Sequence, residues 1–404
     1  MNKFLKQLNP KQSIFGLVIC IALLALMPFI AKELGGTTWV RIIDMALLYV
    51  MLALGLNIVV GFSGLLDLGY VAFYAVGAYM VALLSSTHLS DNFAFFAQHF
   101  PNGLHIPLWV IVPLGAGLAA LAGIMLGTPI LKLRGDYLAL VTLGFGEIIR
   151  IFMNNWGKTK KDLPEPDGLL QSVVYWWNQN YNITNGPRGI NRIDPVTVFG
   201  YPLDRTLTIG GIDLTKEFLY YYLFLALAIV TIVICYRLQK SRLGRAWMAL
   251  REDDIAAKAM GINVRNIKLL AFSLGATFGG VAGGMFAAFQ GFISPESFSF
   301  LESIVILAMV VLGGMGHIPG VVLGAIILYT LPEFLRFTVE PFQRNVLGKI
   351  WVDTAIVRQF ILGLSMVLIM LYRPKGLWPT PEREDKKDVD ASVQSDKPAN
   401  NATV

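Results

Sequence analysis

The chain has 404 residues, of which 55% are hydrophobic and only 15% charged. Soluble domains carry about 25% charged residues, so this composition excludes an ordinary water-soluble enzyme or binding module and points to the bilayer. The net charge of +6 requires no nucleic-acid partner, because basic loops on one membrane face account for it.

Met1–Lys11 is basic and leads into an apolar run. No small-residue cleavage site follows, since that run closes on Met27-Pro28-Phe29, so residues 1–12 read as a retained cytoplasmic N-terminus. Uncharged runs then recur at about 13–31, 43–60, 68–86, 107–130, 136–153, 217–236, 268–290, 301–314, 318–332 and 355–372, which predicts ten helical spans. The eighth and ninth are the least separable. Ser303 to Pro332 holds no charge, but 313-GGMGHIPG-320 interrupts it, leaving either two spans or one span and a broken helix. Cys20 and Cys235 both lie in apolar runs and read as buried thiols without a disulfide.

Basic residues orient the chain. Lys3, Lys6 and Lys11, then Lys132 and Arg134, then eight Lys/Arg between Arg237 and Lys268, then Arg373 and Lys375 fall on one face when ten spans are counted. The positive-inside rule makes that face cytoplasmic. The expected fold is therefore an all-α polytopic membrane protein with both termini cytoplasmic. Its membrane domain covers 13–372, with an extracytoplasmic loop at 154–216 and a cytoplasmic loop at 237–267. The 154–216 loop carries 175-YWW-177, an interfacial anchor. The tail 373–404 is polar and too poor in apolar residues to order itself.

Two glycine turns, 61-GFSG-64 and 313-GGMG-316, sit where one span gives way to the next. They read either as tight turns at the surface or as broken-helix elements facing a central pathway, since non-helical backbone at membrane depth is tolerated only where it is buried or lines a cavity. Asn57, Gly61, Ser63, Gly64, Gly313, Gly314 and Gly316 are the candidate pathway residues; an interhelical hydrogen bond explains Asn57 equally well. G-x-S-G is also the serine signature of rhomboid-type intramembrane proteases, with His317 as the imaginable base for Ser63. That reading leaves the ten spans unexplained, and no catalytic residue is assigned. Glu147 and Arg150 have the spacing of an ion pair on one helix face, as have Arg41 and Asp44; a structural pair is the favoured reading of each, and a coupling or substrate role the alternative. Asp67 and Glu302 suit helix ends.

The segment 237-RLQKSRLGRAWMALREDDIAAKAMGIN-263 is dense in both signs of charge between two apolar runs. As one helix it clusters Trp247, Leu250, Ala257 and Gly261 on one face, with Arg245, Glu252 and Ala256 opposite and Arg251 and Asp253 among its rim charges. It reads as a docking helix whose apolar stripe seats in a groove on a partner while the charges fix the register.

Residues 255-IAAKAMG-261 look like the EAA loop of ABC importer permeases, with Ala256, Ala257 and Gly261 in register and Ile255 where that motif has Glu. Further, 54-LGLNIVVGFSGLLDLGYVAFYAVGAYMVALL-84, 133-LRGDYLALVTLGFGEIIRI-151, 243-LGRAWMALREDDIAAKAMGI-262, 290-QGFISPESFSF-300 and 311-VLGGMGHIPG-320 resemble the LivM-type permease of high-affinity branched-chain amino-acid ABC importers. So does 183-ITNGPRGI-190, with Asn185 where Gly is more usual. The resemblance covers about 45–372. It implies import of leucine, isoleucine and valine across the bacterial inner membrane, delivered by an extracytoplasmic binding protein. A second homologous permease and two cytoplasmic ATPases would complete the assembly. ATP and Mg would sit on those ATPases, because this chain has no G-x-x-x-x-G-K-[ST] phosphate loop. No His/Cys cluster has metal-ligand spacing. Related urea and amide permeases are the alternative substrate class, and an autonomous secondary carrier is the alternative mechanism.

Overall fold

The computed structural model describes residues 10–131, 133, 136–157, 168, 172, 182–198, 200–209, 212–347, 354–373 and 376–378. Lys3, Lys6, Lys132, Arg134, Lys375, the 175-YWW-177 anchor and the tail beyond Trp378 lie outside the described residues.

The fold is overwhelmingly helical. Helix α1 covers Pro10–Gly35 and α2 covers Thr37–Asn57, the latter continuing into a π-helical turn at Ile58–Phe62. Then come α3 Val71–Leu84, the short α4 His88–Asn92 and α5 Ala94–His99, α6 Leu108–Ile130 and α7 Asp136–Asn155. After a loop follow α8 Lys216–Lys240, α9 Arg242–Glu252, α10 Asp254–Ala259 and α11 Val264–Gln290. The chain closes with α12 Phe300–Gly313, α13 Ile318–Leu347 and α14 Thr354–Tyr372. Among the described residues, six helices are long and apolar enough to cross a membrane.

The centre is α2, whose apolar window is 89% buried. A helix that is hydrophobic all round belongs inside a bundle, and α2 packs against α8, α11 and α13. Helix α11 is the second organiser. Its Gly275, Gly279, Gly280, Gly283 and Gly284 face inward, so α3 and α6 lie directly on its backbone. A Cβ on Gly77 of α3 would collide with the Gly280 backbone. Tyr70 Oη donates to Gly275 O at 3.1 Å across the same seam. Small residues allow such close approach where the bilayer supplies no hydrophobic drive between helices.

Two expected spans are too short to cross the hydrocarbon core as helices. Helices α3 and α12 have 14 residues each, a rise of about 21 Å against roughly 30 Å of hydrocarbon. The run at 68–86 is thus an extended segment followed by a short helix. The region 301–332 forms two helices, α12 and α13, separated at Gly314–His317. The two short helices meet at their first turns, where Val71 N donates to Ser303 Oγ at 3.1 Å in a buried contact. Breaking these helices exposes N–H groups that only buried partners can satisfy.

The all-α expectation also needs small corrections. Within 182–214 and after α11, three two-stranded antiparallel pairs form: β1 Ile190–Asn191 with β6 Phe292–Ile293, β2 Thr197–Val198 with β3 Tyr201–Pro202, and β4 Leu207–Ile209 with β5 Ile212–Leu214. They cap one end of the bundle; Trp109 Nε1 donates to Thr197 O at 2.7 Å, and His105 Nδ1 meets Asp194 Oδ2 at 2.6 Å. The expected Arg41–Asp44 pair does not form a hydrogen bond. Arg41 Nη2 reaches Gln290 Oε1 at 2.6 Å, and the Asp44 carboxylate is buried without a hydrogen-bond partner. The first residues of the tail are docked: Leu377 N donates to Leu312 O at 2.9 Å. Cys235 is a free, buried thiol.

Candidate functional site

The charged segment folds as two helices, because Asp253 interrupts it. Its backbone is extended (φ −157°, ψ 116°), and its Oδ1 accepts from Ile255 N at 2.7 Å and Ala256 N at 3.1 Å, capping α10. Ser241 caps α9 in the same way, accepting from Gly244 N at 3.2 Å. Gly261, at φ +82°, stops α10 in the left-handed region that favours glycine. The single helix expected across 245–261 is corrected accordingly, and the loop proper spans 241–263.

The apolar stripe faces inward. Trp247 is fully buried, stacks on Phe62 with centroids 6.5 Å apart, and donates Nε1 to Ile267 O at 2.9 Å. Leu250 and Ala257 are buried as well. Trp247, Leu250 and Ala257 therefore fasten the loop to its own chain and offer nothing to a partner, contrary to the expected stripe. What remains outside is Arg245, Glu252, Asp253, Ala256 and Gly261, together with Ile255 at 74% and Met260 at 80% exposure. Sequence reasoning missed Ile255 and Met260, although Met260 lies one helical turn beyond Ala256 on the same face. Lys268 pairs with Asp254 at 2.5 Å and holds α10 on α11. An open groove of about 950 Å³ runs beside α10, lined among others by Leu131, Leu133, Ile255, Lys258 and Gly261.

Arg251, in the last turn of α9, links this loop to both glycine turns. Its Nη1 donates to Gly61 O at 2.6 Å. Gly61 lies in the π-turn that ends α2, where helix carbonyls lack intrahelical partners. A Cβ on Gly64 would come within 2.9 Å of Arg251 Cγ, and one on Gly316 within 2.9 Å of Arg251 Nη1. Gly316 is itself held by two side chains: its N–H donates to Asn57 Oδ1 at 2.8 Å and its carbonyl accepts from Gln239 Nε2 at 3.2 Å. The π-turn of α2 and the α12–α13 turn are thus one junction, with Arg251 bridging it to α9.

The candidate pathway residues fall into this packing. Asn57 bonds the backbone of the α12–α13 turn at Gly316, Gly61 and Gly316 are in contact, and Gly64 lies under the Arg251 stem. Gly313 packs on the backbone of Gly320, and Gly314 on Gly376 of the tail. Ser63 Oγ donates to Val59 O at 2.7 Å within its own helix, while the His317 ring lies against Trp378 at 6.0 Å between centroids. No Ser63–His317 hydrogen bond is present among the described residues, so the nucleophile–base geometry of a serine protease is missing. Arg150 donates Nε to Glu147 Oε2 at 3.0 Å, and its Nη2 lies 2.9 Å from the same oxygen. Its Nη1 also lies 3.5 Å from Glu296 Oε1, a partner the sequence did not indicate. Among the described residues no group of three or more His, Cys, Asp or Glu could hold a metal ion.

Residues 38–370 match the family model described as the permease component of the branched-chain amino acid transport system. The chain belongs to that family. The permease is 40% identical over 381 residues to the high-affinity branched-chain amino acid transport system permease protein LivM of Escherichia coli K12, which covers 91% of this chain and 75% of that one. A second Escherichia coli K12 protein, named the permease protein LivH of the high-affinity branched-chain amino acid transport system, is 32% identical over 161 residues, 40% of this chain and 46% of that one. A probable LivM of Methanocaldococcus jannaschii is 23% identical over 353 residues, 82% and 90% of the two chains. No solved structure matches the permease. Its apolar helices and its relatives make it a multi-pass membrane protein.

Proposed function

We propose that this permease is a translocation subunit of an ATP-driven importer of leucine, isoleucine and valine. It sits in the bacterial inner membrane with ten spans and both termini cytoplasmic. It makes and breaks no bonds itself. An extracytoplasmic binding protein delivers the amino acid to the 154–216 side, and a second homologous permease completes the pathway. Of two cytoplasmic ATPases, which carry ATP and Mg, one docks on the exposed face of α10. The LivM and LivH proteins are both named as permeases of a high-affinity branched-chain system, which supports a paired assembly.

The single observation carrying this reading is the Arg251–Gly61 bond, which makes the loop a mechanical part of the bundle. An ATPase that closes on ATP displaces α9 and α10 together. Arg251 and Asn57 pass that displacement to the end of α2 and to the α12–α13 turn. Because α12 meets α3 at Ser303, the two short helices move with it. ATP thereby favours one arrangement of the bundle over another, as differential binding requires.

The deciding experiment is ATP-dependent uptake of radiolabelled leucine into proteoliposomes holding this chain, its partner permease and the two ATPases. Uptake that needs both ATP and the binding protein supports the reading. Uptake of urea or an amide but not leucine moves the substrate and keeps the mechanism. Uptake by this chain alone, indifferent to ATP, replaces it with an autonomous carrier.

A further inference from the structure

The geometry points to Glu147, Arg150 and Glu296 as the site that holds the charged head of the amino acid in transit, with the adjoining surface of α7 taking its aliphatic side chain. This rests on the reading of the chain as an amino-acid translocation subunit and names the groups that touch the substrate.

Helix α7 runs between the two ends of the bundle. It starts just after Leu131 and Leu133, which line the groove beside α10, and ends where Thr184 Oγ1 bonds Met153 O at 2.5 Å. Arg150 lies about 21 Å along it, in the half nearer the 182–214 loop. One side of α7 is packed, with Thr142 Oγ1 accepting from Leu68 N at 3.0 Å. The rest is open: only 28% of its apolar window is buried, with Leu140 at 61%, Ile148 at 64% and Ile151 at 51% exposure. On this open helix the Glu147 and Arg150 side chains are 29% and 25% exposed. Ionised groups inside a membrane pair with one another or face protein or water-filled space, not lipid, and in this proposal the side of α7 that carries them borders the pathway.

The three charges suit a zwitterion. Two carboxylates flank one guanidinium, and the whole set carries a net charge of −1 by that count. Arg150 has five N–H donors in a planar fork that accepts a carboxylate bidentately. An amino-acid carboxylate taking that fork would release Glu147 and Glu296, which then receive the ammonium group. The ligand brings no net charge, and every charge it displaces regains a partner. The pair is open to exchange, because both of its side chains are partly exposed and the incoming carboxylate takes the place of the one it displaces. A purely structural tie between α7 and the Pro295–Phe298 turn would be expected to bury its outer member, yet the Glu296 side chain is 64% exposed.

An apolar wall stands beside the charges. Gly144 lies one turn before Glu147 with nothing within 4 Å of its Cβ position. Ile151 and Ile148 lie along one side of the pair, and Leu301, at 46% exposure, is the second residue of α12, shortly after the Glu296 turn. A notch at Gly144 between exposed isoleucines accommodates a branched aliphatic side chain, and no charged residue of α7 other than Glu147 and Arg150 lies between Tyr137 and Asn155 to oppose it.

The test uses the full complex in proteoliposomes, with binding protein, and reads leucine carried per ATP hydrolysed. Arg150→Gln is expected to lower that ratio at least tenfold, and Arg150→Lys, which keeps the charge but not the fork, to recover part of it. The charge-swapped double variant Glu147→Arg/Arg150→Glu rebuilds an i,i+3 pair with the guanidinium moved; it is expected to stay as impaired as Arg150→Gln. Recovery by the swap, or an unchanged ratio in Arg150→Gln, would overturn the site. If Arg150→Gln fails to assemble, Glu296→Gln on the exposed turn decides: a several-fold rise in KM for delivered leucine supports the site, and an unchanged KM overturns it. A wild-type complex that carries no leucine with ATP would instead remove the importer reading, and the site with it.

Discussion

Arg251, on a loop outside the expected spans, donates a 2.6 Å hydrogen bond to the carbonyl of Gly61 at the end of α2, the most buried of the six membrane-length helices among the described residues. The donor is charged and exposed on a surface element; the acceptor is an orphan carbonyl of a π-turn. Hydrogen bonds from charged donors contribute about 1.5–3 kcal/mol, enough to make loop and helix end move as one unit and not enough to make them rigid.

Arg251→Ala should therefore uncouple more than it unfolds. It leaves the Gly61 carbonyl without its partner and costs about 1–2 kcal/mol of stability. ATP-driven leucine uptake in proteoliposomes should drop about tenfold while the purified permease keeps a cooperative thermal transition. Arg251→Lys should be intermediate, since a lysine reaches the carbonyl but does not fill the space under Gly316. Uptake at the wild-type rate in Arg251→Ala would remove the bridge from the mechanism.

Gly61→Ala attacks the same junction from the other side. The added Cβ would meet Asn57 Oδ1 and lie 2.5 Å from Gly316 N, so the turn carrying Gly316 must shift. Overpacking of this kind costs about 1–3 kcal/mol. The control is Gly363 in α14, with nothing within 4 Å of its Cβ position, where alanine should stabilise by about 0.5–1 kcal/mol through helix propensity. Opposite shifts in the thermal unfolding midpoints of the two variants check the assignment; equal shifts would mean that the Gly61 contact is soft.

Much of this was legible in the sequence, and the misses have physical causes. Uncharged length located the helices, because the bilayer demands it, but length cannot tell a full span from extended chain followed by a short helix, as at 63–84. Periodicity found the stripe of Trp247, Leu250 and Ala257 but not what it faces. Burial of that stripe depends on Phe62 and Ile267, which come from other helices. By its position Asp253 is a rim charge, whereas in the fold its carboxylate caps α10 and splits the helix. The Glu147–Arg150 spacing is local and was readable; Glu296 lies far along the chain and no spacing rule reaches it.

The inward stripe changes which substitutions separate folding from docking. Ala257 is 2% exposed, so Ala257→Arg forces a charge into the packing between α10 and α11 and should abolish folded protein, at more than about 3 kcal/mol. Met260 is 80% exposed, so Met260→Asp should leave the thermal transition of the isolated permease within about 0.5 kcal/mol of wild type. It should nonetheless reduce ATP-driven uptake at least tenfold by placing charge in an apolar docking face. Wild-type uptake in Met260→Asp would show that the partner seats elsewhere, with the 950 Å³ groove beside α10 the next surface to probe.

At the other end, the His105–Asp194 contact gives a pH dependence whose sign is fixed. The hydrogen bond that His105 Nδ1 donates to the Asp194 carboxylate holds the imidazole above its usual range. A group whose pKa is raised on folding contributes stability that is complete below the unfolded value of about 6.5 and is lost as pH rises through the folded one. The tie between the Asn102–Ile106 turn and the Arg192–Asp194 turn should thus be tightest at mildly acidic pH and loosen above neutrality. Both side chains are partly exposed, at 46% and 35%, so the effect is local and will not move global unfolding. Amide hydrogen exchange over 102–106 and 192–196, corrected for intrinsic rates, should show protection falling as pH rises from 5.5 to about 8.5. The Asp194 N–H to Ser85 O bond at 3.1 Å remains at every pH and keeps the strand region in place. Asp194→Asn removes the charge that raises His105, so its protection should no longer vary with pH beyond the intrinsic correction; a persisting pH dependence would assign the titration to another group.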